Sequence, residues 1–270
     1  MTSTDYTTLR QNLQADCQQC FGLCCTALTI TASSDFALNK PAGTPCPNLQ
    51  IDFRCQIHHQ LRDKGFKGCT VFDCLGAGQK ISQQTFHGQD WRQHPEIADT
   101  MFRAFPIMEQ LFEMIAYVAE ALAYKLPPQL TKKLQAQLAT LQNATELDAD
   151  ELEKLDIVSY RQPVNALLSE ASQQIRQSQS NFRGVDWMGK NLKGKNLKQA
   201  DLRGAYLIAA NLQQADLRGV DLIGADLRDA DLRGTDLSTS LFLTQMQINS
   251  ARGNSQTKLP YYIKRPVHWQ

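Results

Sequence analysis

Residues 200–217 read Ala200-Asp201-Leu202-Arg203-Gly204-Ala205-Tyr206-Leu207-Ile208-Ala209-Ala210-Asn211-Leu212-Gln213-Gln214-Ala215-Asp216-Leu217. Leucine returns at every fifth residue, a small residue stands two places before it, and Asp or Asn usually stands one place before it. A step of five suits neither common element. On an α-helix it advances about 500°, so the leucines drift around the axis. On a strand an odd step sends successive leucines to opposite faces. They all stay inside only if the chain turns a corner with each repeat, winding a coil around a leucine column.

The pattern extends both ways. Its large apolar member runs from Phe182, Trp187, Leu192 and Leu197 through the leucines above to Leu222, Leu227, Leu232, Leu237 and Phe242. The small member continues as Ala225, Ala230, Thr235 and Ser240. Lys190 and Lys195 take small-residue positions, so the first coil is expected to be imperfect, and Val220 is large for its place. This A(D/N)LxG-like pattern resembles the pentapeptide-repeat family over thirteen consecutive repeats. The resemblance implies a right-handed quadrilateral β-helix over residues 181–245, with about three coils of four repeats each. The tail, 246–270, drops the period but keeps Leu259, Tyr261, Tyr262, Val267, His268 and Trp269, which are expected to cover the end of the coil.

A different signal marks the other end. All eight cysteines lie between Cys17 and Cys74, at Cys17, Cys20, Cys24, Cys25, Cys46, Cys55, Cys69 and Cys74. Met1 to Gln14 is polar, with no apolar stretch of a secretory signal, so the chain reads as soluble and cytoplasmic. A reducing compartment disfavours disulfides and makes metal ligation the better use of crowded thiols. If residues 17–25 are helical, Cys17, Cys20 and Cys24 share a face. Thiolates select zinc, copper(I) or iron–sulfur clusters over magnesium or calcium. Eight could serve two four-ligand centres. The cofactor expected is an iron–sulfur cluster or zinc; adjacent Cys24 and Cys25 are awkward for one tetrahedral zinc. His58, His59 and His87 are alternative ligands.

CxxCxxxCC followed by Cys46-Pro47-Asn48-Leu49, Cys55-Gln56-Ile57-His58 and Gly68-Cys69…Cys74 resembles a family of zinc- or iron-chelating proteins named for that motif. That family contains flagellin lysine methylases, so the resemblance admits redox or methyl-transfer chemistry. The combined layout, ending in Arg265-Pro266-Val267-His268-Trp269, also resembles a bacterial family of pentapeptide-repeat proteins.

Between these regions the period is helical. Met101, Phe105, Met108, Phe112, Ile115 and Ala119 share a helix face, with Pro106 as a kink or early boundary. Leu130, Leu134, Leu138 and Leu141 mark a second helix after Pro127 and Pro128. Asp148 or Asp150 is placed to cap a third. Pro163 is placed to open a fourth, with Val164, Leu167, Leu168, Ala171 and Ile175 as its buried stripe. The expected class is α+β multidomain. A Cys-rich module spans 7–93, an α-helical bundle 94–180, the repeat solenoid 181–245 and a capping tail 246–270.

The bulk numbers narrow the function. With 28 basic and 27 acidic residues the net charge is +1, which offers no bulk attraction to nucleic acid or an anionic membrane. Residues 181–245 hold nine basic and eight acidic side chains, so the coil is not the net negative surface that DNA mimicry of gyrase-binding relatives needs. Gly76-Ala77-Gly78-Gln79-Lys80 lacks the spacing of a phosphate loop and reads as a turn. No catalytic motif stands out. The expected function is a metal- or cluster-binding protein docking a protein partner through its solenoid, with an enzyme using the cysteine centre as the alternative.

Overall fold

The structure is a computed structural model that describes residues 2–177 and 180–269. The chain divides into two compact units, Met1–Ala123 with Pro128–Leu167, and Tyr124–Pro127 with Leu168–Gln270.

The first unit opens with α1 (Ser3–Asn12), capped by Thr2 and Asp5, each side chain holding the other's backbone N–H. Three short pieces follow: α2 (Leu23–Thr26), α3 (Lys67–Val71) and α4 (Ala77–Gln79), the last continued by a π-helical turn over Lys80–Thr85. The long helix α5 (Ala98–Leu122) is the axis of this unit. Met101, Phe105, Met108, Ile115 and Ala119 are buried on the face the spacing predicts, and Phe112 is half-buried. Leu111, Met114, Val118 and Leu122 are buried too, so α5 is enclosed on most of its circumference. Pro106 lies inside the helix and sets no boundary. An interior proline costs about 3 kcal/mol, which burial around the helix outweighs.

Next comes α6 (Pro128–Ala144), with Leu130, Leu134, Leu138 and Leu141 buried. The short α7 (Ala149–Glu153) is capped by Asp148 in a box with Glu151. Helix α8 (Ile157–Arg176) starts earlier than the sequence suggests, because the Asp156 carboxylate accepts the Val158 N–H and caps it there. Pro163 is therefore an interior residue. Among the described residues no helix is long and apolar enough to cross a membrane.

In the second unit the end of α8 leads into the coil. Successive circuits meet through parallel bridges twenty residues apart, from Asn181 to Asp201, Asp201 to Asp221 and Asp221 to Leu241, with the same step along the other three columns. Four pentapeptides therefore make one circuit. The expectation of an α+β protein with a right-handed quadrilateral β-helix is corrected here: among the described residues there is no β-strand, and each bridge is an isolated pair. The reason is local. In each five-residue unit a turn closes from the leucine carbonyl to the N–H three residues on, as from Leu202 to Ala205 at 3.0 Å. Each unit then meets its neighbour through the bridged residue and one further N–H, as Leu202 and Gly204 do to Asp221 O and Ile223 O, and the turn interrupts the pairing before a ladder can extend.

The repeated residues each have a task in that turn. Asp or Asn accepts the N–H two residues on, as Asp201 does from Arg203 at 3.2 Å and Asn211 from Gln213 at 3.1 Å, forming Asx turns. The turn then needs a positive φ, met by Gly204 at 63° but also by Gln199, Ala209, Gln214 and Asp229. Leucines and alanines fill the interior, with Leu202 to Leu237 essentially inaccessible. Thr235 and Ser240, in alanine places, donate their hydroxyls to Leu212 O and Leu217 O at 2.7 and 2.8 Å. Val220 is fully buried without disturbing the bridges. Phe182 and Trp187 of the first circuit are only partly buried, and Lys190 and Lys195 are exposed.

Two buried networks bracket the coil. At its start Asp201 accepts from Arg176 of α8 at 3.1 Å and from Arg183 at 2.9 Å, while Arg176 also donates to Gln199 O. At its end the tail keeps winding, with Arg252 bridged to Asp231 and Lys258 to Asp236, steps of 21 and 22 residues. The first extra residue falls in the stretch that holds α9 (Gln245–Ser250), whose Gln247 side chain donates to Leu222 O and Ala225 O at 2.8 Å each, and the second falls between Arg252 and Lys258. Trp269 is buried and donates to Ala251 O at 3.1 Å, whereas Tyr261 and Val267 are exposed.

Candidate functional site

Backbone tethers, not one long helix, gather the cysteines. Between Cys17 and Thr26 only Leu23–Thr26 is helical, and Cys17 and Cys20 lie in the turns before it, so the single helix face that a helical 17–25 would give Cys17, Cys20 and Cys24 does not form. The 14–21 segment is instead tied to α4 and its π-helical extension. Asp16 N–H donates to Gln79 Oε1 at 2.9 Å, Gln79 Nε2 to Gln14 O at 2.8 Å, and Phe21 N–H to Ser82 Oγ at 3.1 Å. Cys74 stands just ahead of α4. A Cβ on Gly78 would lie 2.8 Å from Cys20 Sγ and 3.7 Å from Cys74 Sγ, so this glycine leaves room for two sulfurs.

The remaining thiols come from α2, α3 and the loops between them. In α2 the Cys24 and Cys25 sulfurs are 3.9 Å apart. Cys46 N–H donates to Cys25 O at 2.9 Å, and an antiparallel bridge between Leu49 and Cys55 folds the loop back. Cys69 lies on α3, which is held by Gly68 N–H donating to Asp35 O at 2.9 Å and by the Phe36 ring over Gly68. Between them sits Lys40, buried, its ammonium donating to Thr26 O, Leu28 O and Pro41 O at 2.9, 2.5 and 3.2 Å. All eight cysteines are free thiols.

Burial dominates the acidity of these thiols. It pushes Cys20 up to about 11 and Cys69 up to about 12, the latter helped by neighbouring Cys25, Cys46 and Cys55. Cys17, Cys55 and Cys74 shift the same way, again chiefly by burial. The vicinal pair behaves differently: Cys24 is raised because its thiol donates to Cys25, and Cys25 is lowered by accepting that bond, with the Lys40 charge adding.

The donor set is the soft one a thiophilic ion or cluster takes. Among the described residues, however, no three Cys, His, Asp or Glu side chains converge closely enough to hold a metal ion as they are oriented. Ligation needs the thiols to turn inward and shed their protons. His58 and His59 are exposed on a short 3-10 turn, and His87 is exposed as well, so none joins the thiols. The Gly76–Lys80 stretch, expected as a turn, is instead helical: Gly76 is the N-cap of α4, Ala77–Gln79 form it, and Lys80 begins the π-helical turn, its ammonium engaged by Gln84 Oε1 and Glu146 Oε1 at 2.7 Å each. Lys40, and the place of Gly78 beside two sulfurs, escaped the sequence reading. A lysine in a Cys-poor loop carries no motif, and the sulfurs beside Gly78 come from 54 residues apart in the chain, Cys20 and Cys74.

YybG of Bacillus subtilis (strain 168), itself uncharacterized, is 47% identical over 269 residues, covering 97% of this chain and 96% of YybG. The chain belongs to the YybG family. Within it, residues 200–238 match the family described as Pentapeptide repeats, in eight copies. So this YybG relative is a pentapeptide-repeat protein in its C-terminal part. Two solved pentapeptide-repeat structures are similar to it. One, from the Arabidopsis thaliana thylakoid lumen (AT2G44920), is 28% identical, covering 31% of this chain and 57% of that one, with a TM-score of 0.24. The other, Rfr23 from the cyanobacterium Cyanothece 51142, is 31% identical, covering 29% and 56%, with a TM-score of 0.21. The chain thus spans little more than half the length of either solved protein.

Proposed function

We propose that this pentapeptide-repeat protein holds a thiophilic metal ion or an iron–sulfur cluster with the cysteines of its first unit and docks on a protein partner through its coil. One observation carries the metal reading. Eight cysteines, spread from Cys17 to Cys74, come within electrostatic reach of one another with no disulfide among them. Crowded free thiols of this kind are costly to maintain without a use, since each is open to oxidation. The resemblance of Cys17-x2-Cys20-x3-Cys24-Cys25 to the chelating family points the same way. Cys17, Cys20, Cys24, Cys25, Cys46, Cys55, Cys69 and Cys74 are the residues that would hold the group. Bound there, zinc would supply a cross-link, and a cluster would supply electron transfer.

The docking role draws on the coil wall. Met188 and Tyr206 are 57% and 52% exposed on successive circuits, and Tyr206 breaks the Asp/Asn column with an aromatic. Exposed aromatic and Met side chains are enriched at protein interfaces. The test of the whole proposal begins with protein purified without oxygen. Metal and acid-labile sulfide analysis with a visible spectrum should find stoichiometric zinc, or iron with sulfide. Protein that stays metal-free with eight titratable thiols, even after reconstitution, refutes the metal reading. If a partner co-purifies equally with wild type and Tyr206→Asp, the wall around Tyr206 is not the docking surface.

A further inference from the structure

The cysteines are not one undivided cluster. Cys17 and Cys20 are tied to the Cys74 end of the fold by the Gln79 and Ser82 side chains, and the Cys20 and Cys74 sulfurs flank the same point beside Gly78. Cys46 and Cys55 are tied to Cys25 by the Cys25 carbonyl and the Leu49–Cys55 bridge. Cys69 belongs with them, because α3 is anchored by Asp35 and Phe36 in the loop that the Ile30–Lys40 bridge closes.

We infer that the thiols divide into two sets of four, Cys17, Cys20, Cys24 and Cys74 in one and Cys25, Cys46, Cys55 and Cys69 in the other, each set serving its own centre. This rests on the metal reading above and deepens it. The seam is the peptide bond between Cys24 and Cys25. Adjacent residues on a helical turn point about 100° apart, so one side chain can face each set. The electrostatic neighbours follow the same division. Cys74 acts on Cys20, and Cys17 and Cys20 act on Cys24, whereas Cys25, Cys46 and Cys55 act on Cys69. The thiol pairs found across the division all involve Cys25, with Cys17 or with Cys24. Charge separates the sets as well. Lys40 stands against Cys46, Cys25 and, least of the three, Cys24, so two of its three thiol neighbours lie in the second set, while Asp16 and Asp73 stand beside Cys17. The two centres are therefore inequivalent, one with a buried cation for company and one with carboxylates.

Cobalt(II) added to the reduced, metal-free full-length chain without oxygen is the probe, read by metal analysis and by thiolate-to-cobalt absorbance. Wild type should bind two ions per chain. Cys20→Ser/Cys74→Ser should keep one, Cys55→Ser/Cys69→Ser should keep one, and the quadruple variant none. Because a variant can lose its fold, the wild-type chain supplies an independent reading. At one equivalent of cobalt, thiol alkylation followed by fragmentation of intact chains should give four-label species with all labels in one set. A wild type that saturates at one ion, a pair substitution that abolishes both ions in a protein with wild-type circular dichroism, or labels mixed between the sets overturns the division alone. A wild type that binds no cobalt overturns the metal reading and the division with it.

Discussion

The junction where α8 meets the coil yields a sharp test, Asp201→Asn. Asp201 is 5% exposed, and its Oδ2 accepts from Arg176 at 3.1 Å and from Arg183 at 2.9 Å. Its Oδ1 accepts the Arg203 N–H that starts the turn. Asparagine keeps the Oδ1 acceptor, so the turn survives. It removes the charge and puts an NH2 group where two guanidinium groups need an acceptor. Arg176 is itself 4% exposed, so its charge is left buried without its carboxylate. Breaking a buried pair in this way costs about 3–5 kcal/mol. The control is Asp226→Asn, the same change in the same turn, where the partner Arg228 is 61% exposed. There the loss is about 0–1 kcal/mol. Urea unfolding of the full chain, followed by the fluorescence of Trp187 and Trp269 with Trp91 replaced by Phe, measures both. Equal losses below 1 kcal/mol for the two variants would show that the junction network contributes nothing beyond the turn, and the argument from burial would be wrong.

Three further outcomes follow from the same physics. Ala209 holds a positive φ of 54° in the turn position that Gly204 fills at 63°, so Ala209→Gly should stabilise the coil by about 1 kcal/mol and Gly204→Ala should destabilise it by a similar amount in thermal unfolding. Burial, with Glu113 and Asp73 nearby, pushes Glu109 up to about 7. A raised carboxyl binds its proton more tightly in the folded state. Wild-type stability should therefore gain as pH falls from about 7 towards the ordinary value near 4.5, and Glu109→Gln should remove that part of the pH dependence in denaturant titrations. A Cβ on Gly253 would come within 2.3 Å of the Trp269 ring, so Gly253→Ala should cost about 1–3 kcal/mol and expose Trp269 to an acrylamide quencher, while an unchanged quenching constant counts against that packing.

Much of the coil was legible because its information is local. A period of five excludes helix and strand by geometry alone, and the Asp/Asn, Leu and small-residue columns each recur where one turn needs them. What the period could not tell was how the circuits pair. Bridges such as Asp201–Asp221 join residues twenty apart and never lengthen into strands, a matter of how much of each repeat the turn consumes. The tail hid for a related reason, since the steps to Arg252 and Lys258 are 21 and 22 residues and break the register. Pro163 misled because proline suits both a helix start and, at some cost, a helix interior; the Asp156 cap decided it. At the cysteines, residue type named the chemistry, but the grouping depends on tethers such as Asp16–Gln79 and Cys46–Cys25, between residues far apart in sequence. No spacing rule encodes those.

The isolated bridges have one more consequence. An exposed β-edge is a template: its unpaired N–H and C=O groups can recruit a strand from another molecule and seed aggregation. A wall in which every bridge is one residue wide and flanked by turns offers no such row along its sides. Such rows remain at the two ends, and at the tail end the Gln247 side chain takes the Ala225 carbonyl, the counterpart of those that Ala230 and Thr235 offer to the Arg252 and Lys258 N–H groups.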